Sequence, residues 1–390
     1  MRSDGTNRLA LLGALFWGSM APSYVFVAVY LKSVGLDYAT IGLVATASVL
    51  ASSLPQIVFG HVIDRYGRPG LLIPLSLLSR AFCLVMLALA TDAWSVSLWY
   101  VAAGLPTALF MPVMQLTVAR SSVSETMGIS MGLYRLGGSA GWAVMCLMSG
   151  LVAYLSSDFR LAFGLGAFLA IVNFVLSLSF TRGPGLSQLA PSDGPTAELI
   201  EPTSKADQGE LFYSSIFLGS LGIGATSSFV TILLAELGGG PLMIGVVLAM
   251  GAIAEIPAMY LGGKMTDKHG AFSVLSVGMA GLAFSYLLYA MVNALVACLF
   301  VQALRGMFYG LFTVSGMAMS SSLGGEKRGG LHAGFYNLVS TLGSSSGPYI
   351  GGLVSDQLGL RTMYYFSSAF SLLGSGLSVV TMLVEHQRSR

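Results

Sequence analysis

Glu255 is the only acidic residue near the middle of a long apolar segment, in the stretch GAIAEIPAMY. If that segment spans a membrane, the charge costs about 2.5–3.5 kcal/mol, so its presence indicates a function or a partner. A low dielectric favours the neutral acid, which would let Glu255 take up and release protons near neutral pH. Arg305, in VQALRGMFYG, is expected at a similar depth. Glu255 is therefore predicted to couple protons or contact a solute, or to form a static pair with Arg305.

Arg135 is a second candidate, because it shares a helix face with Ser139 and Trp142 in RLGGSAGW. A guanidinium inside a bundle suits a carboxylate, a phosphate or an array of sugar hydroxyls. The alternative is an arginine close enough to the end of its helix to reach water or the lipid headgroups. Arg80 is also predicted within a helix, and we expect it to have a structural role, reaching polar groups on the second helix.

Other polar and aromatic side chains form stripes on predicted helices and could line a wet cavity. Together with Arg135 and Arg305, the solute-binding candidates are Gln302, Tyr309, Trp142, Trp17, Tyr24, Gln56, Gln115 and Asn337. The same residue types also support close helix packing in membranes, so both roles stay open for each of them. His332, near a helix end, is expected to be solvated.

The composition predicts an all-α membrane protein. Of 390 residues, 55% are hydrophobic and 9% charged, more apolar surface than a soluble fold of this size could bury. A bilayer needs about 20 apolar residues per helix, and backbone groups in lipid must bond internally. We predict twelve transmembrane helices, at about 9–31, 39–61, 70–90, 95–119, 128–155, 161–181, 211–235, 242–265, 272–291, 294–321, 331–355 and 362–384.

The distribution of Lys and Arg predicts that both termini are cytoplasmic. With that orientation, thirteen of the 19 basic residues fall on the cytoplasmic side and three outside, and the rest lie within helices. The first apolar segment is interpreted as a retained helix rather than a cleaved signal peptide. We therefore expect a multi-pass protein of the cell (inner) membrane.

The sequence contains an internal repeat, which predicts two pseudo-symmetric six-helix bundles. LPQIVFGHVIDRYG at 54–67 matches IPAMYLGGKMTDKHG at 256–270, and 150–168 matches 352–370. The segment between the halves is rich in Pro, Gly and Ser, which is typical of a linker. The expected domains are an N-terminal bundle at 1–181, a cytoplasmic linker at 182–209 and a C-terminal bundle at 210–390. In a duplicated carrier the solute site lies near the midplane, between the halves.

The turn GHVIDRYGR resembles the loop signature G-x-x-x-D-R-x-G-R of the major facilitator superfamily, and GGKMTDKHG resembles its degenerate second copy. A third stretch, GSSSGPYIGG at 343–352, is similar to a pattern of antiporter members, although those carry it in another helix. The resemblance implies a gating role for Gly60, Asp64, Arg65, Gly67, Arg68, Arg120 and Asp267, with Asp64 facing the N-terminal end of the eleventh helix. The alternative is a loop whose charges only set the topology.

These observations predict a secondary transporter that works by alternating access, with proton coupling, for a small neutral or anionic organic solute. The inner arginines outnumber the acids, which disfavours a carrier of cations. A multidrug or sugar efflux antiporter, a uniporter and a non-transporting solute receptor are the alternatives. The net charge of +2 gives no reason to expect a nucleic-acid partner. No enzyme activity, cofactor or metal site is expected, because no nucleophile, ligand or phosphate-loop spacing occurs. Solute, protons and membrane lipids are the expected partners of a monomer.

Overall fold

The computed structural model describes residues 2–66, 69–121, 127–180 and 206–388, and over these ranges the chain forms helices and no strand. The helices are α1 (Arg2–Ser33), α2 (Tyr38–Ser53), α3 (Pro55–Tyr66), α4 (Pro69–Leu89), α5 (Ala93–Ala102), α6 (Gly104–Ser121), α7 (Met127–Ser156), α8 (Phe159–Phe180), α9 (Ala206–Glu236), α10 (Pro241–His269), α11 (Ala271–Met291), α12 (Ala297–Leu358) and α13 (Leu360–Arg388).

Two predicted spans are interrupted where the sequence has a proline. The second span divides into α2 and α3 at Leu54, directly before Pro55, and the fourth divides into α5 and α6 at Ala103, before Pro106. A proline has no N–H and its ring clashes with the preceding turn, so a helix breaks or restarts there. The spans predicted at 294–321 and 331–355 both lie within α12, which is assigned as one helical run.

Eleven segments within the described ranges are long and apolar enough to cross a membrane. The predicted span at 331–355 is not among them, because glycine and serine lower its hydropathy. Many large apolar side chains on these helices are exposed, as lipid-facing residues are.

The residues cluster into two compact units. Unit 1 comprises Met1–Val34, Ala47–Thr196 and Gly239–Ala249, and its core packs α1, α4, α6 and α7 around Phe16 and Phe110, whose rings stack at 3.8 Å. Unit 2 comprises Gly35–Thr46, Ala197–Gly238 and Met250–Arg390, and its core packs α9, α11 and α12 around Phe212, Tyr286 and Phe312.

The internal duplication is visible in the backbone. Gly35 and Gly238, 203 positions apart, both have a positive φ, of 93° and 82°, at the turns that precede α2 and α10. Ser157 and Gly359, 202 positions apart, have φ values of 54° and 91° at the turns before α8 and α13. A serine rarely adopts this conformation, so its occurrence at the position equivalent to a glycine indicates that the turn geometry is preserved.

The short loop before α5 ends in a polar cap. The Asp92 carboxylate accepts hydrogen bonds from the hydroxyl of Ser95 at 2.5 Å and from the backbone N–H groups of Ser95 and Trp94 at 2.9 and 3.0 Å. These bonds hold the pKa of Asp92 below its usual value, and the hydrogen bond from the Ser95 hydroxyl has the largest effect. The cap fixes the residue at which α5 begins.

Candidate functional site

Three of the predicted solute-contacting side chains come together in unit 1, and we call them the aromatic cluster: Trp17 and Tyr24 on α1, and Trp142 on α7. The Trp142 ring lies 4.9 Å from that of Tyr24 and 6.4 Å from that of Trp17, both edge to face. All three side chains are half-buried. Half-exposed ring faces of this kind can contact a ring-shaped or apolar solute.

Glycines on α7 bring the two helices of the cluster close together. A Cβ on Gly141 would lie 2.1 Å from the carbonyl oxygen of Ala14, and one on Gly138 would lie 2.7 Å from Cδ1 of Trp17. Only glycine permits this approach of α1 and α7. The stretch RLGGSAGW therefore positions Trp142 and also provides the surface on which Trp17 lies.

Arg135 lies on the same helix as Trp142, two turns earlier, and its side chain is exposed. The neighbouring Tyr134 is buried and covers Gly13, where a Cβ would meet its ring at 2.5 Å. The structure therefore directs Tyr134 into the core of unit 1 and leaves the Arg135 guanidinium accessible to a solute or to solvent.

The remaining polar candidates do not join the aromatic cluster through any contact described for them. Gln56 on α3 donates its Nε2–H to the carbonyl oxygen of Ser52 at 2.8 Å. Gln115 on α6 and Asn337 on α12 are exposed, and Tyr309 is half-buried on α12. Their roles stay predictions.

In unit 2, Arg305 is directed towards α9. Its Nη2 donates to the hydroxyl oxygen of Ser227 at 2.5 Å, and both residues are half-buried. Nothing in the sequence distinguishes Ser227 from the other serines of α9, so its role as a partner of Arg305 could not be predicted.

Gln302 is 3% exposed and lies inside the packing of unit 2. Its Oε1 accepts a hydrogen bond from the hydroxyl of the buried Tyr289 at 2.5 Å, and its amide covers Gly251 of α10, where a Cβ would lie 2.7 Å from Nε2. A buried side chain with these contacts is better placed to hold α11, α12 and α10 together than to touch a solute.

Glu255 is half-buried on α10, where α10 and α12 make a close contact. A Cβ on Gly306 would lie 2.1 Å from the Gly251 carbonyl oxygen, and one on Gly310 would lie 3.1 Å from that of Glu255. Residue numbers increase in the same direction along both helices in these contacts, so α10 and α12 run parallel here. Gly310 is level with Glu255, so Arg305 lies about 7.5 Å from that level along the helix axis.

Arg80 has the structural role that its position predicts, but its partners correct the expectation that it reaches the second helix. It is 2% exposed. Its Nε donates to the Ser19 hydroxyl on α1 at 3.0 Å, and its Nη1 donates to Thr107 Oγ1 on α6 at 3.1 Å and to the Ala103 carbonyl at 3.3 Å. The guanidinium carbon also lies 4.9 Å from the centre of the Phe16 ring. This guanidinium is committed to protein contacts.

The predicted gating residues are described only in part. Gly60 has open space where a Cβ would be, and Asp267 is exposed. Gly67, Arg68 and the side chains of Asp64, Arg65 and Arg120 lie outside the described residues.

Two further polar features were not predicted in this form. His332, expected to be solvated, is half-buried, and its Nδ1 lies 2.7 Å from the Tyr213 hydroxyl, which joins α12 to α9. Near the C-terminal ends of the same two helices, Asp356 and Glu236 contact the start of α2. Among the described residues, no three His, Cys, Asp or Glu side chains group as a metal site requires.

Comparison with known proteins identifies the family. The sequence profile of the MFS_1 like family matches residues 7–366. The chain belongs to this family of the major facilitator superfamily, and it is a multi-pass membrane protein with the two six-helix bundles that the repeat predicts.

The relatives and solved structures agree with that assignment. An uncharacterised MFS-type transporter of Methanocaldococcus jannaschii is 26% identical over 172 residues, which is 44% of this chain and 45% of that protein. The quinolone resistance protein NorA of Staphylococcus aureus is 23% identical over 170 residues, 44% of each. These matches span less than half of the curated relatives.

Two solved structures show the same fold over nearly the whole chain. A bacterial homologue of the human lysosomal transporter Spinster, in its inward-facing and occupied conformation, has a TM-score of 0.80 at 14% identity and covers 98% of this chain and 97% of that one. The nucleoside transporter NupG has a TM-score of 0.74 at 17% identity and covers 98% and 99%.

Proposed function

We propose that this transporter carries a small neutral or anionic organic solute by secondary active transport, through alternating access and with proton coupling at Glu255. The position of Glu255 is the observation that supports the proposal most directly. Glu255 is the one acid near the middle of a predicted span, on a helix that packs closely against the helix of Arg305. An acid at membrane depth is costly, and proton transfer is a function that justifies the cost.

The charged residues predicted within the helices favour a neutral or anionic solute. Arg80 donates its hydrogen bonds to Ser19, Thr107 and Ala103, so it is not counted among the solute-contacting cations. The candidate charges are then two arginines, Arg135 and Arg305, and one acid, Glu255. Guanidinium groups bind carboxylates, phosphates and hydroxyl arrays well and repel cations.

The aromatic cluster supports a solute with a flat or ring-shaped portion. Ring edges and faces of Trp17, Tyr24 and Trp142 offer apolar contact at low conformational cost. The partial match to a quinolone resistance protein favours a multidrug efflux antiporter as the second candidate function, since quinolones are also flat and carry a carboxylate.

The predicted topology is part of the proposal. The repeat supports bundles at 1–181 and 210–390, joined by a linker at 182–209. The distribution of basic residues supports cytoplasmic termini. We further propose a monomer in the cell (inner) membrane. We expect no catalytic activity.

A screen for binding comes first. Purified protein is mixed with neutral and anionic metabolites, and an increase in the unfolding temperature identifies a solute, because a ligand that binds the folded state stabilises it. Uptake of that solute is then measured in proteoliposomes with and without an imposed proton gradient.

The decisive variant is Glu255→Gln, with Glu210→Gln as the matched control, since Glu210 is an exposed acid at the start of α9. Glu255→Gln should abolish accumulation driven by the gradient and retain solute exchange, and Glu210→Gln should behave as wild type. Flux that ignores the gradient in the wild type would indicate a uniporter. Binding without flux would indicate a receptor.

A further inference from the structure

The first turn of α2 is bound by acidic side chains within unit 2. Asp356, near the end of α12, accepts hydrogen bonds from the backbone N–H groups of Tyr38 at 2.9 Å and Ala39 at 2.7 Å, one on each carboxylate oxygen. Asp37 accepts from the N–H of Thr40 at 3.3 Å. These three N–H groups have no partner inside the helix and form its positive end, so carboxylates stabilise them.

Beyond this turn, α2 and α12 pack closely, and we call this contact the α2–α12 crossing. A Cβ on Gly42 would lie 2.2 Å from the Pro348 carbonyl oxygen, and one on Gly352 would lie 2.4 Å from that of Tyr38. The Thr46 hydroxyl donates to the Ser345 carbonyl at 2.6 Å. The stretch GSSSGPYIGG therefore includes Ser345, Pro348 and Gly352 of this crossing.

Unit 1 contains the duplicated counterpart, the α7–α10 crossing. A Cβ on Gly245 would lie 2.3 Å from the Cys146 carbonyl oxygen, and one on Gly150 would lie 2.9 Å from that of Pro241. Gly245 and Pro241 follow Gly42 and Tyr38 by 203 positions, and Cys146 and Gly150 precede Pro348 and Gly352 by 202. The same four backbone positions thus meet in both copies.

The two crossings differ in their charged groups. Pro241 occupies the position equivalent to Tyr38 and has no N–H to donate. Tyr154 occupies the position equivalent to Asp356, and Gly240 that of Asp37. The glycine contacts are common to both copies, whereas the carboxylate cap belongs to the α2–α12 crossing.

We propose that Asp356 is a positioning residue, whose carboxylate holds the first turns of α2 against α12. Residues 35–46 cluster with unit 2, whereas α2 from Ala47 onward belongs to unit 1, so both sides of this crossing lie within one compact unit. Tyr38 also donates its hydroxyl to Glu236 of α9, which adds a second acidic contact to the same turn. The proposal depends neither on Glu255 nor on the solute.

Hydrogen exchange measured by mass spectrometry tests the contact without any solute. Asp356→Asn keeps the side-chain volume and removes the charge and one acceptor. Because a hydrogen bond to a charged acceptor is stronger than one to a neutral acceptor, the amides of residues 38–43 should exchange about tenfold faster. The control Tyr154→Phe, at the equivalent position of the other copy, should leave the amides of 242–247 unchanged.

The same data separate positioning from a general loss of stability. Peptides from the buried helix α11 should exchange at the wild-type rate in Asp356→Asn. Unchanged exchange at 38–43, or an equal increase in α11 and at 38–43, would overturn the proposal.

A second measurement reports opening of the crossing directly. A cysteine replaces Thr46 in a chain whose native, buried cysteines are changed to alanine, and its reaction with an aqueous maleimide is timed. Asp356→Asn should raise the labelling rate several-fold, and Tyr154→Phe should not. Equal rates in all three proteins would show that Asp356 does not control the position of α2, whatever the outcome of the transport assays.

Discussion

Arg305 donates a hydrogen bond through Nη2 to the hydroxyl oxygen of Ser227 at 2.5 Å, and this bond joins α12 to α9 inside unit 2. A hydrogen bond from a charged donor fixes the direction of a long side chain that would otherwise sample many rotamers. Ser227 therefore helps to orient the guanidinium of Arg305.

Ser227→Ala should weaken binding of the solute found in the thermal screen by about tenfold, since a hydrogen bond to a charged group contributes about 1.5 kcal/mol or more. Isothermal titration measures the affinity. The matched control is Ser228→Ala, because Ser228 donates to the Gly224 carbonyl of its own helix at 3.0 Å. If the two variants bind equally well, Arg305 is not a solute contact positioned by Ser227.

Trp142→Ala should reduce solute affinity by about fivefold or more. It removes the ring that contacts both Tyr24 and Trp17. An aromatic contact with an apolar solute contributes about 1 kcal/mol or more. Quenching of tryptophan fluorescence on solute addition provides the measurement. Trp94→Ala is the control, since Trp94 is 84% exposed at the start of α5. If quenching is lost in Trp94→Ala and retained in Trp142→Ala, the solute binds away from the aromatic cluster.

Arg80→Met should destabilise the protein by about 3 kcal/mol, because it leaves the buried Ser19 and Thr107 hydroxyls without their donor and removes the cation over Phe16. Thermal unfolding in detergent should show a clear decrease in the midpoint. Arg160→Gln is the control, because its ion pair with Asp158 at 2.9 Å is exposed, and its midpoint should not change measurably. Similar midpoints for both variants would contradict the role assigned to Arg80.

Gly306→Ala should disrupt the α10–α12 contact, since the new Cβ would lie 2.1 Å from the Gly251 carbonyl oxygen. Overpacking of this kind costs about 1–3 kcal/mol, and here the clash is with backbone. The yield of monodisperse protein and its unfolding midpoint should both fall. Gly164→Ala, where a Cβ has open space, should be neutral or slightly stabilising. An undiminished midpoint in Gly306→Ala would mean that the helices separate easily.

The sequence predicts the fold well because the membrane imposes simple rules on it. Long apolar segments and the repeat indicate where the helices lie, and the structure departs from this at Pro55, near Pro106 and in α12, which joins two predicted spans. A proline inside an apolar segment indicates a break or a kink, but its choice between them depends on the neighbouring helices. That choice is not encoded within the segment itself.

The site is predicted less completely. The spacing of residues shows which side chains share a helix face, but it does not show which other helix packs against that face. The seven-residue spacing of Trp17 and Tyr24 places both on one face, and the structure brings both to Trp142. Arg80 shows the limit of this reasoning. Its burial follows from its position, but its contacts with Ser19 and Thr107 depend on which helices surround α4.

Contacts between distant parts of the chain left the least signal. Asp356 and Tyr38 are separated by 318 residues, and an acid near the end of a helix ordinarily faces water. The repeat already aligns Asp356 with Tyr154, but only the structure shows that Asp356 contacts the first turn of α2.

The buried position of Arg80 also constrains how the protein is made. During synthesis α4 enters the bilayer with a charge that costs about 2.5–3.5 kcal/mol until it is satisfied. Ser19 and Phe16 are already available on α1, whereas Ala103 and Thr107 emerge from the ribosome later. We therefore expect the nascent α1 and α4 to associate beside the insertion machinery, so that the order of translation begins assembly of the N-terminal bundle.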